Sequence, residues 1–226
     1  MPSDSAPKIL IAGCGYVGMA LVRYLVPQGY QVWGLRRSRA ALEELQAVGA
    51  RGIIADLTKP DTLAQLPPVD EVVTCQSAGR HGDYRSTYVE GAKYLVAALS
   101  RHAPSKLVWI SSTGVYGQSR DEWVDETTPP CPPSEQARLL LQAETIVLSA
   151  PFPTVILRLA GIYGPGRDML QGLRRGRAPV TSESYVNLIH LEDIVGIVQY
   201  LLKRGAPKEI YLGVDDEPAV RSTLYA

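Results

Sequence analysis

The sequence has few cysteines, no net charge and no long apolar run. Its 226 residues include only Cys14, Cys75 and Cys131 and no C-x-x-C pair, so we expect neither a disulfide framework nor a zinc site. The 23 basic and 23 acidic side chains cancel, which gives the whole chain no attraction to nucleic acid or anionic membranes. No apolar run reaches the roughly 18 residues of a membrane span, and residues 1–8 lack the apolar core of a signal peptide. We therefore expect a cytoplasmic protein with no metal, nucleic-acid partner or membrane partner.

What the chain does have is a regular alternation of strands and helices. Six short apolar segments have the character of buried strands: Lys8–Ala12, Gln31–Leu35, Gly52–Ala55, Val69–Cys75, Lys106–Ser111 and Thr154–Leu159. The segments between them have helical spacing, with Val17, Leu21 and Leu25 on one face of the first. Continuous apolar strands separated by amphipathic helices predict an α/β fold, a doubly wound parallel sheet of six or seven strands covered on both faces.

The pattern loosens after Leu159. A helix is predicted over Leu191–Lys203 and a strand over Glu209–Val214, and the chain ends as Ser222–Ala226 begins another helical pattern. We expect a Rossmann-type domain over residues 1–160 and a small lobe over 161–226 that partly returns to the sheet. A helix cut off in its first turns cannot bury its apolar face, so this lobe is expected to be incomplete.

The strongest local signal is a glycine-rich turn. The run Gly13-Cys14-Gly15-Tyr16-Val17-Gly18 follows the first strand directly and opens the first helix, which is the context that a dinucleotide-binding G-x-G-x-x-G motif requires. The first glycine permits the tight turn, the second lets a pyrophosphate approach the backbone, and the third lets the helix pack on the strand. The helix N-terminus offers free N–H groups to the phosphates. The alternative is a glycine turn without a ligand.

Two arginines at the end of the second strand indicate which dinucleotide binds. NAD-binding chains usually have an acidic residue there, which bonds the ribose 2′-hydroxyl, whereas this chain has Arg36 and Arg37. Guanidinium groups form charge-assisted bonds with a 2′-phosphate, so NADP(H) is predicted in preference to NAD(H). The alternative is that these arginines begin the next helix in solvent.

Asp56 and Leu57 close the third strand and would suit a contact with the adenine ring. An equally good interpretation makes Asp56 a carboxylate at a helix N-terminus, with Thr58 as its cap.

Four motifs in order resemble those of the extended short-chain dehydrogenase/reductases, the NAD-dependent epimerase/dehydratase family. Besides the glycine motif they are Ser111–Gly117 (similar to S-S-x-x-V-Y-G), Arg158–Gly166 (R-x-x-x-x-Y-G-P-G) and Asn187–Asp193 (N-x-I-H-x-x-D). The resemblance extends from about residue 8 to 218. It implies cofactor contacts at Ser111 and, through the backbone of a small-residue turn, at Ser77.

The resemblance also implies a catalytic group that is incomplete here. The family uses a Ser or Thr, which falls at Ser112, to hydrogen-bond the reacting oxygen, and a Tyr and Lys spaced Y-x-x-x-K for proton transfer. Aligned on Glu144, those two positions are Gln136 and Leu140, and no tyrosine in the chain has a lysine four residues later. Arg138 is the nearest cation, two residues out of register. A divergent subgroup of the family has this layout.

Two classes of function therefore remain as expectations. One is an NADP-dependent oxidoreductase or epimerase/dehydratase acting on a nucleotide sugar or a similar hydroxyl-bearing metabolite. The other is a non-catalytic NADP(H)-binding sensor or regulator. The resemblance further implies a basic run, Arg174–Arg177, facing the substrate diphosphate, although a solvated helix end explains this run nearly as well. It also implies a possible homodimer through segments 84–99 and 134–148.

Weaker candidates have ordinary structural alternatives. His190 and Asp193 either line a substrate cleft or begin a helix. The acidic cluster Asp121, Glu122, Asp125 and Glu126 either supplies a base or is solvated. Tyr84 and Tyr88, four residues apart, are expected to be packing residues, although Tyr84 could reach the cofactor.

Overall fold

The computed structural model describes residues 6–79, 82–118, 122–167 and 185–224. The strands are, in chain order, β1 (Lys8–Ala12), β2 (Gln31–Arg36), β3 (Arg51–Ile54), β4 (Glu71–Thr74), β5 (Lys106–Ser112), β6 (Thr154–Leu159), β7 (Gly161–Tyr163), β8 (Tyr185–Val186), β9 (Leu188–His190), β10 (Ile210–Gly213) and β11 (Ala219–Val220). The α-helices are α1 (Tyr16–Leu25), α2 (Leu42–Ala47), α3 (Gly91–Leu99), α4 (Glu135–Leu148), α5 (Leu191–Arg204) and α6 (Arg221–Leu224). Shorter 3₁₀ turns cover Arg39–Ala41, Pro60–Gln65 and Thr113–Val115, and a π-helical stretch over Arg85–Glu90 leads into α3.

Seven strands form one parallel sheet in the order β3-β2-β1-β4-β5-β6-β10. This arrangement confirms the predicted doubly wound fold. The chain leaves β1 toward β2 on one side, whereas β4 lies on the other side of β1. The sheet therefore has its topological switch point between β1 and β4, where ligands of such sheets bind at the carboxyl ends of the strands.

The core has two layers because the side chains of a strand alternate between the faces of the sheet. Ile9 and Ile11 of β1 join the cluster that includes α1 and α5, while Leu10 and Ala12 join the cluster of α3 and α4. All four are fully buried. The continuous apolar run of β1 follows from this burial on both faces.

Side chains fix the starts of two long helices. The Ser134 hydroxyl accepts a hydrogen bond of 3.2 Å from the Ala137 N–H and caps α4. Nδ1 of His190 accepts a 3.3 Å bond from the Glu192 N–H and caps α5 in the same way. For His190, the structure thus supports the helix-start interpretation.

The chain beyond residue 160 contributes both to the sheet and to smaller pairs of strands. β10 extends the main sheet beside β6, α5 packs on α1, β7 pairs with β9 in parallel, and β8 pairs with β11. The division into domains at residue 160 stays a prediction. The basic run Arg174–Arg177 and Asp121 lie outside the described residues. Among the helices that are described, none is long and apolar enough to cross a membrane.

Candidate cofactor and active site

A cleft of about 390 Å³ opens at the carboxyl edge of the sheet, beside the switch point between β1 and β4. Its described lining comes from the glycine turn, the end of β2, the segment after β3 and the segment after β4: Gly13, Cys14, Gly15, Leu35, Arg36, Arg37, Ser38, Ala41, Asp56, Leu57, Thr58, Cys75, Gln76, Ser77, Gly79 and Thr87. Seven residues predicted from the sequence to bind the cofactor are in this set: Gly13, Gly15, Arg36, Arg37, Asp56, Leu57 and Ser77.

The three motif glycines have different geometric roles. Gly13 has a φ of +108°, and a Cβ there would lie 2.9 Å from the backbone of Cys75 and Gln76. Both the positive φ and the lack of space for a side chain therefore require glycine at this position. A Cβ at Gly18 would overlap the Gly13 carbonyl oxygen, so this glycine lets α1 pack against the turn. A Cβ at Gly15 would meet no atom within 4 Å. Open space above the backbone at the second glycine is what an approaching pyrophosphate requires.

Three predicted cofactor residues of the motif do not line the cleft. Val17 is buried in the core and Gly18 packs on the turn. Tyr16 donates a 3.0 Å hydrogen bond to the Pro165 carbonyl, and the Arg167 guanidinium lies 5.7 Å from its ring centroid. Tyr16 thus joins the glycine turn to the loop after β7. The cofactor contacts predicted for these residues stay predictions.

The arginines at the end of β2 have unequal surroundings. Arg36 donates from Nη2 to Glu44 Oε2 at 2.9 Å, and its buried Nε has no partner. Glu44 also pairs with Arg23 at 2.8 Å. Arg37 is exposed and forms no hydrogen bond or ion pair within the described parts of the chain. Both arginines line the cleft, and among the described residues Arg37 has no partner for its guanidinium.

Asp56 is held by its own loop. Its Oδ1 accepts bonds from the N–H of Thr58 at 2.9 Å and from the hydroxyl of Thr58 at 2.8 Å. The helical turn that follows begins after Lys59 and has no side-chain cap. The interpretation of Thr58 as a helix cap is therefore wrong, because its hydroxyl closes the Asp56 turn. A contact between Asp56 and the adenine stays a prediction.

Sequence reasoning missed several lining residues that have no motif signal. Ser38, Ala41, Gly79 and Thr87 reach the cleft through loops and the π-helical stretch. Cys14 was within the motif, but its side chain was not predicted to contribute. Burial raises the pKa of the Cys14 thiol to about 12, so this thiol stays protonated at neutral pH.

The two serines at the end of β5 differ in their contacts. The Ser111 hydroxyl is buried and donates a 2.5 Å bond to Glu144 Oε1. Ser112 is half-buried, and its hydroxyl accepts a 3.1 Å bond from the Gly114 N–H. Neither is in the lining of the cleft. The Ser111 hydroxyl thus has a buried carboxylate partner, and the roles predicted for both serines stay predictions.

Glu144 and Arg158 form a buried ion pair behind Ser111. Their side chains are 3% and 2% exposed, and two hydrogen bonds of 2.7 and 3.1 Å join them. Arg158 Nη1 also donates to the Tyr116 hydroxyl at 2.7 Å, and this hydroxyl donates to the Asp125 carbonyl at 3.1 Å. Burial by itself would lower the pKa of Arg158, but Glu144 raises it above its ordinary value. The network fixes α4 to β5, β6 and the loop after β5.

Comparison with known proteins identifies the family. The model of the NAD dependent epimerase/dehydratase family matches residues 9–212. The Escherichia coli protein YeeZ is 33% identical over 210 residues, which is 90% of this chain and 76% of YeeZ. The chain belongs to the NAD dependent epimerase/dehydratase family. This membership confirms the resemblance seen in the motifs, and it supports a nicotinamide dinucleotide as the ligand of the cleft.

Two further relatives cover most of the chain. Human dTDP-D-glucose 4,6-dehydratase is 27% identical over 255 residues, covering 97% of this chain and 73% of the human protein. A protein from Methylobacillus flagellatus, provisionally assigned to the NAD-dependent epimerase/dehydratases, has a solved structure that is 37% identical, with a TM-score of 0.82, and covers 98% of this chain and 80% of that one. The similarity therefore extends well beyond the glycine motif.

In this chain, the register set by Glu144 predicts Gln136 and Leu140 of α4 at the family's tyrosine and lysine positions. Gln136 is exposed and Leu140 is buried. The side chain of Arg138 is 61% exposed and pairs with Glu135 at 3.2 Å. The first turns of α4 thus present an amide and an arginine, and neither is an efficient general acid or base near neutral pH.

Several of the weaker candidates have structural contacts in the described parts of the chain, and their functional roles stay predictions. The carboxylate of Asp125 accepts bonds from Thr127 and Thr128, which lower its pKa. Glu126 accepts a 3.0 Å bond from the Leu212 N–H. The rings of Tyr84 and Tyr88 pack at a centroid distance of 5.2 Å. No group of His, Cys, Asp and Glu among the described residues could hold a metal ion.

Proposed function

We propose that this protein binds NADP(H) and is an oxidoreductase of the epimerase/dehydratase type, acting on a nucleotide sugar or a related hydroxyl-bearing metabolite. The observation that carries the proposal is the cleft at the switch point, where open space above Gly15 meets two arginines at the end of β2. Family membership and the similarity to dTDP-D-glucose 4,6-dehydratase support the substrate class.

The arginines support the preference for NADP(H). A ribose 2′-phosphate beside Arg36 and Arg37 would gain charge-assisted bonds, whereas a 2′-hydroxyl would gain little. The carboxylate of Glu44 occupies only one edge of the Arg36 guanidinium. Because Arg37 has no such carboxylate partner among the described residues, it is the stronger candidate for binding the 2′-phosphate.

Each of the chain's own groups has a limited task in this proposal. A bound nicotinamide would accept or donate a hydride. The glycine turn and the N-terminus of α1 would hold the diphosphate. The Ser112 hydroxyl would hydrogen-bond the reacting oxygen, and the carboxylate of Asp56 would face the adenosine. Removing the Ser112 hydroxyl should lower any turnover about 100-fold, as the loss of a comparable oxyanion donor does, and leave dinucleotide affinity unchanged.

A second candidate function rests on α4. Gln136 and Leu140 occupy the positions of the family's proton-transfer residues, and this favours a dinucleotide-binding sensor or regulator without turnover. A homodimer through segments 84–99 and 134–148 and a reducing, cytoplasmic environment are further proposals that rest on the sequence.

The first experiment is calorimetric titration of the protein with NADPH and with NADH. We expect clearly tighter binding of NADPH. Arg37→Asp should weaken NADPH binding about 10- to 100-fold, the equivalent of one charge-assisted bond, and leave NADH binding nearly unchanged. Arg39→Asp is the matched control, because Arg39 is close in sequence and exposed but does not line the cleft.

Two outcomes would contradict the proposal. If the protein binds neither dinucleotide, both the proposed cofactor and the proposed enzymatic activity are contradicted. An unchanged NADPH to NADH ratio in Arg37→Asp would leave the dinucleotide site intact but end the assignment of NADP(H). Conversion of nucleotide sugars in the presence of NADP⁺, followed by chromatography, then separates the enzyme from the sensor.

A further inference from the structure

Gln76 is an unexplained buried amide at the cleft. It lies two residues beyond the end of β4, and its Oε1 and Nε2 are both buried without a hydrogen-bond partner among the described residues. An unpaired buried polar group destabilises a folded protein, and buried amides are nearly always bonded. A side chain with both ends unpaired beside a ligand cleft is therefore a candidate ligand-binding group.

The position of Gln76 is fixed by the glycine turn. Its backbone nitrogen lies 2.9 Å from where a Cβ of Gly13 would be, and the Cys75 N–H donates a 2.9 Å bond to the Ala12 carbonyl. The residue is thus anchored at the switch point between β1 and β4, next to the turn that would hold the diphosphate. The neighbouring hydroxyl of Ser77 already accepts a bond from the Gly79 N–H, whereas the Gln76 amide is unsatisfied within the described part of the chain.

We propose that the Gln76 side chain binds the ribose–diphosphate part of the dinucleotide, an inference that rests on the proposed function. The Nε2 group donates to an anionic phosphate oxygen, and Oε1 accepts from a ribose hydroxyl. This chemistry satisfies both ends of the amide at once. It adds a side-chain contact to a segment whose expected role was backbone contact alone.

The test compares two substitutions that each remove an unpaired buried polar group. Thr154 is fully buried at the start of β6, and its hydroxyl also has no partner. Gln76→Leu and Thr154→Val should each keep or raise the melting temperature of the ligand-free protein. Only Gln76→Leu should weaken binding of NADPH, by about 10- to 100-fold by calorimetry, because it removes one bond to a charged oxygen and one to a hydroxyl.

A charged isostere shows whether the amide donates to the ligand. It also provides a second variant in case Gln76→Leu does not fold. Gln76→Glu replaces the donor by an anion, and next to a diphosphate it should weaken binding more than Gln76→Leu does. Wild-type affinity in both Gln76 variants would overturn the inference and leave the proposed function standing. Absence of binding by the wild-type protein would instead overturn the proposed function, and the inference with it.

Discussion

The dinucleotide cleft and the start of α4 lie at the same edge of the sheet, yet they differ in how many of the family's expected features they have. In the cleft the requirements of ligand binding are met chiefly by the backbone, through the turn at Gly13 and the open space at Gly15. On α4 the buried ion pair of Glu144 with Arg158 is present, while Gln136 and Leu140 stand where the sequence register predicts the family's proton-transfer residues.

The difference shows that the two tasks have separable physical requirements. Binding a dinucleotide and packing a helix depend on shape, burial and paired charge, which many side chains maintain together. Proton transfer depends on one or two groups of suitable pKa at a fixed place, so two substitutions remove it and leave the fold intact. Substitutions in each region and labelling of the three thiols test whether the two tasks are separable.

The largest effect is expected from breaking the ion pair behind Ser111. Glu144→Ala should lower the free energy of unfolding by about 3–5 kcal/mol, because it leaves the Arg158 charge buried and unpaired. Urea unfolding measures this change. Glu135→Ala is the control, since its partners Arg85 and Arg138 are both exposed and such surface pairs contribute about 0–1 kcal/mol. Equal effects of the two substitutions would show that the buried pair does not hold α4 in place.

A large effect on binding, without a matching effect on folding, is expected at Gly15. Gly15→Val should weaken NADPH binding at least about 100-fold, because the side chain would fill the space for the pyrophosphate. The effect on the melting temperature should be much smaller than the effect on binding, since a Cβ there meets no described atom within 4 Å. Gly196→Val in α5 is the matched control, because that position is equally open and lies outside the cleft. Normal binding by Gly15→Val would place the ligand elsewhere.

The smallest effect concerns the cysteines. Burial raises the pKa of Cys14 to about 12 and raises the pKa of Cys75 as well, whereas Cys131 is exposed. Because the thiolate is the reactive form, iodoacetamide at pH 8 should modify Cys131 first, and mass spectrometry should find one label per native chain. Three labels at the same rate would mean that the cleft opens readily. The Cys131→Ser variant should take up almost none.

Sequence reasoning predicted the parts that depend on local pattern. The strand before Gly13 and the helix after it identify the glycine run as a dinucleotide-binding motif. The residues that end β2 and follow β3 reach the cleft because the carboxyl ends of parallel strands lie at one edge of the sheet. The pairing of Glu44 with Arg36 was not predicted, since it depends on the orientation of α2. The bond from Ser111 to Glu144 joins residues 33 positions apart, and only the packing of α4 on β5 brings them together.

The unpaired amide of Gln76 was also invisible in the sequence. A glutamine after a strand is ordinarily solvated, and the burial of this amide depends on tertiary packing that the local sequence does not encode. The lack of the Tyr and Lys on α4, by contrast, could be seen in the sequence, because the register is set by the ion-pairing Glu144.

The hydrogen bond from Tyr16 to Pro165 has a consequence for how the protein assembles. The described residues that line the cleft all fall between Gly13 and Thr87, so the cleft is built from contacts of short to moderate sequence separation. The Tyr16 bond spans 149 residues, and contacts of such separation form slowly because a long loop must close first. During synthesis we therefore expect the dinucleotide turn to form while the loop that Tyr16 will hold is still being made.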